Sequence, residues 1–70
     1  MSTFYIKNEQ IDGNKIYILD EDYNHIKNVL RYKENDNLDV CDENSIRYKT
    51  KIEKFDVNRV ILDILDVDNI

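Results

Sequence analysis

The stretch that decides the fold is DEDYNHIKNVLRYKENDNLDVCD, residues 20–42. It opens on Asp20, a residue type suited to a helix N-cap, and Glu21 and Asp22 add negative charge where a helix dipole favours it. Tyr23, Ile26, Val29 and Leu30 recur at spacings of three and four and draw one apolar stripe. Lys27, Arg31 and Lys33 bring positive charge to the far end, so a helix is predicted from about Glu21 to Arg31 or Tyr32. The polar run Lys33–Asp36 reads as a turn in which Asn35 tolerates the left-handed conformation. Asn37–Cys41 then resumes as a strand, with Leu38 and Val40 on one face.

Working outward, Phe4, Tyr5 and Ile6 form a short aromatic and β-branched run, a first strand. Asp12-Gly13 supplies a tight turn, and Lys15–Leu19 follows as a strand covered on both faces. On the other side, Asp42–Ser45 is the next turn. From Ile46 to Ile52 the alternation is the cleanest in the chain. Ile46, Tyr48, Thr50 and Ile52 fall on one side, and Arg47, Lys49 and Lys51 on the other. A turn over Asp56–Asn58 leads to a last strand from Arg59 to about Leu65. Five short strands with one helix predict a mainly β fold, a small curled sheet or barrel.

The chain has 70 residues, enough for one domain. A domain of that size buries only about 60% of the surface exposed by its unfolded chain, so its core needs support from packing, a partner or a further domain. One cysteine and one histidine provide neither an internal disulfide nor a zinc cluster. Cys41 reads as a buried, inert thiol. No apolar run approaches the roughly 20 residues that span a bilayer, and the N-terminus lacks a signal-peptide layout, so no membrane role is expected and the cytoplasm is the default compartment.

Fifteen acidic residues against ten basic ones leave a net charge of −5. Taken as a whole, such a chain repels nucleic acid. The distribution matters more than the sum. Residues 23–33 hold Lys27, Arg31 and Lys33 with no acid, and residues 44–54 hold Arg47, Lys49, Lys51 and Lys54 against Glu53 alone. A basic face on an acidic body is therefore expected. No glycine-rich phosphate loop, metal motif or nucleophile elbow is present, and nothing in the sequence supplies His25 with the partners of a catalytic histidine.

The order across the central stretch carries a resemblance. It runs from the acidic helix start Glu21-Asp22 through His25-Ile26 and Val29-Leu30-Arg31 to Lys33, a turn ending in Asp36 and a strand ending in Asp42. This resembles the N-terminal domain of the RsmE family, the bacterial 16S ribosomal RNA uracil-N3-methyltransferases. Phe4-Tyr5-Ile6 and Gly13 with Lys15-Ile16 are similar to the first two strands of that domain. The chain carries Asn24-His25 where that family often has adjacent histidines, and Asn35-Asp36 where it has Gly-Asp.

The resemblance implies a small PUA-like β-barrel over residues 1–70 that helps recognise RNA. It implies that methyl transfer belongs to a following SPOUT domain, which binds S-adenosylmethionine, forms a homodimer and is absent from these residues. The chain itself is then expected to be non-catalytic and without a cofactor. Its expected partners are 16S rRNA or the small ribosomal subunit, and its own SPOUT domain.

The candidate RNA-binding residues are Arg31, Lys33, Arg47, Lys49 and Lys51. Arg31 stabilises the helix dipole in any case, and its planar guanidinium also suits a phosphate. Cations on alternate residues of a strand stand about 7 Å apart, near the spacing of successive phosphates, though a solvated face has the same pattern. Tyr32 and Tyr48 could stack on bases, with Tyr48 better placed for packing. The rival reading is a protein-interaction or dimerisation module that does not itself bind RNA. A sheet edge pairing with another chain would favour it; a continuous cationic groove would favour RNA.

Overall fold

The computed structural model describes residues 3–69. One six-stranded sheet curls around a single helical segment, as the mainly β reading predicts. The strands are β1 (Thr3–Tyr5), β2 (Ile11–Asp12), β3 (Lys15–Leu19), β4 (Asn37–Cys41), β5 (Ile46–Asp56) and β6 (Arg59–Asn69), in sheet order β1-β4-β5-β6-β3-β2. β1 runs parallel to β4, and the other pairings are antiparallel. Because β1 and β2 are edge strands yet near neighbours in sequence, the segment between them, including a 3₁₀ turn at Asn8–Gln10, bridges the opening of the half-barrel. Asn8 N–H donates to Glu43 Oε1 at 2.9 Å, and Gln10 Nε2 donates to the Tyr17 carbonyl at 2.8 Å, so the bridge is pinned at both ends.

The concave face holds the core: Phe4, Ile6, Ile16, Ile18, Ile26, Leu38, Val40, Ile52, Val60 and Leu62. Thr50 is buried among them without penalty, because its hydroxyl donates to the Leu38 carbonyl at 2.7 Å across the β4–β5 pair. Gly13 takes φ +60° in the β2–β3 turn, and Asn35 and Asn58 take φ +74° and +57° at the other expected turns.

The helix departs from expectation in three respects. It is α-helical only over α1 (Asp20–Asn24) and continues as one π-helical stretch, His25–Val29, in which Leu30 N–H donates to the His25 carbonyl at 2.8 Å. The wider π turn advances each residue less around the axis, so Ile26 stays buried while Val29, expected on the apolar stripe, is exposed. Asp20 is not a side-chain cap. Its φ of +54° turns the chain sharply out of β3, and its N–H reaches the Asn58 carbonyl at 3.4 Å. The helix also ends before Arg31, whose φ of +58° reverses the backbone.

The sheet differs too. β2 is a sixth strand, and β5 and β6 run 11 residues each, well past Ile52 and Leu65. Shifts between Lys49 and Thr50 and between Ile52 and Lys54 leave Leu65 and Glu53 without direct partners, and these bulges let one long hairpin bend around the core. No described helix is long and apolar enough to cross a membrane.

Candidate nucleic-acid interface

Arg47, Lys49 and Lys51 stand together on the convex face of β5, as their alternation requires. Arg47 and Lys49 are exposed, and Lys51 is half-buried. The register adds what lies beside them. Lys49 is opposite Asp39 on β4 and Asp66 on β6; Lys51 is opposite Asn37 and Asp63; Arg47 is opposite Cys41 and Asp68. Directly paired residues share a face with Cβ atoms about 4.5–5.5 Å apart, so the row is flanked by carboxylates along its β6 side. The convex surface is a checkerboard of charge rather than a uniform cationic groove.

Lys33 and Arg31 lie in the connection from helix to β4, and both are exposed. Asn35 N–H donates to the Ile52 carbonyl and Ile52 N–H donates to the Asp36 carbonyl, each at 2.8 Å, which docks the Lys33–Asp36 turn against β5 next to Lys51. Asp36 Oδ2 accepts the Lys33 N–H at 2.8 Å and closes the turn. The turn that carries Lys33 therefore lies at the Lys51 end of the row. Arg31 stands at the helix terminus, before that turn.

Three further arrangements set the electrostatics. Lys15 Nζ is shared by Asp63 and by Glu53, the latter at 2.6 Å. Those two bonds, Asp63 foremost, hold the Lys15 ammonium well above its ordinary pKa. Asp63 is thereby partly neutralised beside Lys51. Asp56 accepts the Val57 N–H and pairs with Arg59 at 3.1 Å, which together lower its pKa. Arg59 also lies 5.0 Å from the centre of the Tyr17 ring, beside an open groove that carries Lys7 together with Glu9 and Asp22.

His25 is exposed on the helix, its ring edge-on to Phe4 at 6.1 Å, which fits a positioning role on the sheet. Tyr48 is held by Asp42, and Tyr32 packs against the core. Cys41 is not buried. It is half-exposed on the convex face because that face carries no second layer, and its thiol turns toward the Asp42 carbonyl at 3.8 Å. The residue that the sequence reading passed over is Tyr5, 75% exposed on β1. The alternation of buried Phe4, exposed Tyr5 and buried Ile6 is its signal. No cluster of metal-ligating side chains occurs among the described residues.

Residues 18–65 match the family described as the RNA methyltransferase PUA domain. No curated protein sequence matches the chain. Among solved structures, it is similar to a hypothetical protein at 22% identity and a TM-score of 0.86, over 99% of this chain and 30% of that one. It is similar to a probable rRNA-methyltransferase from Porphyromonas gingivalis at 20% identity and a TM-score of 0.82, over 100% of this chain and 28% of that one. A third similar structure is the ribosomal RNA small subunit methyltransferase E from Neisseria gonorrhoeae bound to S-adenosyl methionine. There the identity is 25% and the TM-score 0.78, over 99% of this chain and 29% of that one. The chain thus spans less than a third of the length of these structures.

Proposed function

This chain belongs to the RNA methyltransferase PUA domain family, and from that premise we propose that it is the RNA-binding unit of an RsmE-like 16S rRNA uracil-N3-methyltransferase. The observation that carries the reading is the family match over residues 18–65, supported by likeness to a small-subunit rRNA methyltransferase over nearly the whole chain. Arg31, Lys33, Arg47, Lys49 and Lys51 contact phosphates and hold the strand in register, while the chemistry proceeds elsewhere. Contacts of this kind position RNA without reading its sequence.

In the whole protein, methyl transfer belongs to a further domain of the SPOUT type, which takes up S-adenosylmethionine and pairs with a second copy. Within the described residues every buried side-chain nitrogen and oxygen already has a hydrogen-bond partner.

Titration with a small-subunit rRNA fragment at low salt tests the reading. Binding is expected to weaken steeply with salt, and each cation removed lowers the log–log slope by about 0.7 on single strands and about 0.9 on duplex. Absence of binding at low salt, or binding indifferent to the Arg47→Ala/Lys49→Ala pair, overturns it.

A second reading, a protein-interaction module, draws on β6. Beyond Ile64, whose N–H donates to the Asn14 carbonyl at 2.8 Å, no described strand pairs with β6 on its β3 side, and Leu65 and Val67 are exposed. Concentration-dependent self-association that Leu65→Asp abolishes, in a chain that ignores RNA, would favour it.

A further inference from the structure

We propose that Tyr5 and Arg47 form a nucleotide subsite, in which the Tyr5 ring stacks on one unpaired base and Arg47 holds the adjoining phosphate. The proposal rests on the RNA-binding reading and adds a base contact to it. Tyr5 pairs with Cys41 across β1 and β4, and Cys41 pairs with Arg47 across β4 and β5. The three side chains therefore form one row on the convex face. Two strand spacings separate Tyr5 from Arg47, about 10 Å between Cα atoms. Cys41 between them is a small side chain, half-buried, with its sulfur 3.8 Å from the Asp42 carbonyl.

The ring is available in a way that the other tyrosines are not. Tyr17 lies under Arg59, Tyr23 lies under Lys27 at 5.5 Å, Tyr48 donates to Asp42 and Tyr32 packs on the core. Tyr5 is 75% exposed on an edge strand with no described strand beyond it. Burial does not explain an aromatic ring in that position. Arg47 differs from Lys49, which lies between Asp39 and Asp66, because its β4 neighbour is the uncharged Cys41, and it differs from the half-buried Lys51 because it is exposed. Asp68 faces Arg47 from β6, yet no ion pair among the described residues involves Arg47.

Every base has a π-face, so stacking on Tyr5 tolerates any sequence, and it requires a base free of its duplex partner. Arg47 supplies planar donors to the phosphate. The subsite therefore takes single-stranded RNA.

The test compares an end-labelled oligouridylate with a base-free sugar–phosphate chain of equal length, by fluorescence anisotropy at low salt. Wild type, Tyr5→Ala, Tyr5→Phe and Arg47→Ala are titrated with both, and circular dichroism melts confirm the fold of each. Tyr5→Ala is expected to weaken oligouridylate about tenfold and leave the base-free chain unaffected. Tyr5→Phe retains wild-type affinity, and Arg47→Ala lowers the salt slope on both ligands by about 0.7. Equal affinity of wild type and Tyr5→Ala for oligouridylate overturns the subsite and leaves the RNA-binding reading standing. Failure of the wild-type chain to bind either ligand overturns both.

Discussion

Tyr48 donates its hydroxyl to Asp42 Oδ2 at 2.8 Å, and this pair ties off the β4–β5 turn that presents the cationic row. The other carboxylate oxygen, Oδ1, accepts the Asn44 N–H at 2.8 Å and the Ile46 N–H at 3.1 Å, while Asp42 N–H donates to the Ile46 carbonyl at 3.0 Å. Burial pushes the Asp42 carboxyl up, but the bonds from Tyr48, Ile46 and Asn44 together outweigh it and hold the pKa below its ordinary 3.8. Burial, and then the Asp42 carboxylate, push the Tyr48 hydroxyl above 10.0.

Asp42→Ala strips a half-buried hydroxyl and two amides of their acceptor and is expected to cost about 2 kcal/mol; Tyr48→Phe should cost about 1. The pH dependence follows from the direction of each shift. In Asp42 the folded protein binds its proton less readily than the unfolded chain, so its contribution is complete above about pH 4 and disappears as pH falls through the lowered folded value. In Tyr48 the folded protein keeps its proton longer, so that contribution is complete below about pH 10 and is lost as pH rises through the folded value. Urea unfolding from pH 2 to pH 7 should show wild type losing more stability on acidification than Asp42→Asn. Parallel profiles would remove Asp42 from the account.

The backbone makes the same demand of two different residues, Gly13 and Arg31. Both have positive φ, +60° and +58°, in the left-handed region that favours glycine. Nothing lies within 4 Å of a Cβ added at Gly13. Gly13→Ala should therefore cost only the backbone strain, about 1 kcal/mol. Arg31→Gly relieves that strain and adds unfolded-state freedom of similar size, leaving stability within about 0.5 kcal/mol of wild type. If Arg31 contacts phosphate, the same variant binds rRNA more weakly with a shallower salt slope. Thermal melts beside RNA titrations separate the two effects.

What was legible in the sequence is what local periodicity encodes. Ile16 and Ile18, Leu38 and Val40, and Ile52 alternate, and Tyr23, Ile26 and Leu30 recur at helical spacing, so the mainly β fold and its core could be read directly. Val29 could not, because the π turn that exposes it is a departure from the 3.6-residue period. The full lengths of β5 and β6 were hidden by the bulges at Glu53 and Leu65, each of which breaks the two-residue alternation. At the candidate site, Arg47, Lys49 and Lys51 declared themselves as a row, but their carboxylate neighbours did not. Asp39 lies ten residues before Lys49 and Asp66 seventeen after it, and only strand register brings them together. Tyr5 was masked because Phe4, Tyr5 and Ile6 are all strand-forming residues, and exposure falls on the middle one.

Lys15 is shared by Asp63 and Glu53, the latter standing at the β5 bulge. The cluster is substantially solvated, so its contribution to stability is small and screened by salt. Lys15→Met should lower the unfolding midpoint slightly at low salt, with the difference vanishing near 1 M salt, where the Debye length is about 3 Å. A loss that persists at high salt would point to packing of the Lys15 stem instead.

The carboxylates beside the row make the last prediction the most direct test of which surface meets RNA. Asp39 and Asp66 flank Lys49 from the two neighbouring strands, so a phosphate approaching Lys49 also meets both of them. If this face binds RNA, Asp39→Asn and Asp66→Asn should each tighten binding at low salt by roughly threefold, the effect of removing one screened surface charge. Asp22→Asn, in the first helical turn, is the control and should change little. Affinity raised equally by the control would mean that the RNA responds only to net charge, and affinity unmoved by either row variant would mean that the RNA lies away from these carboxylates; in either case the convex face of β5 would lose its claim as the interface.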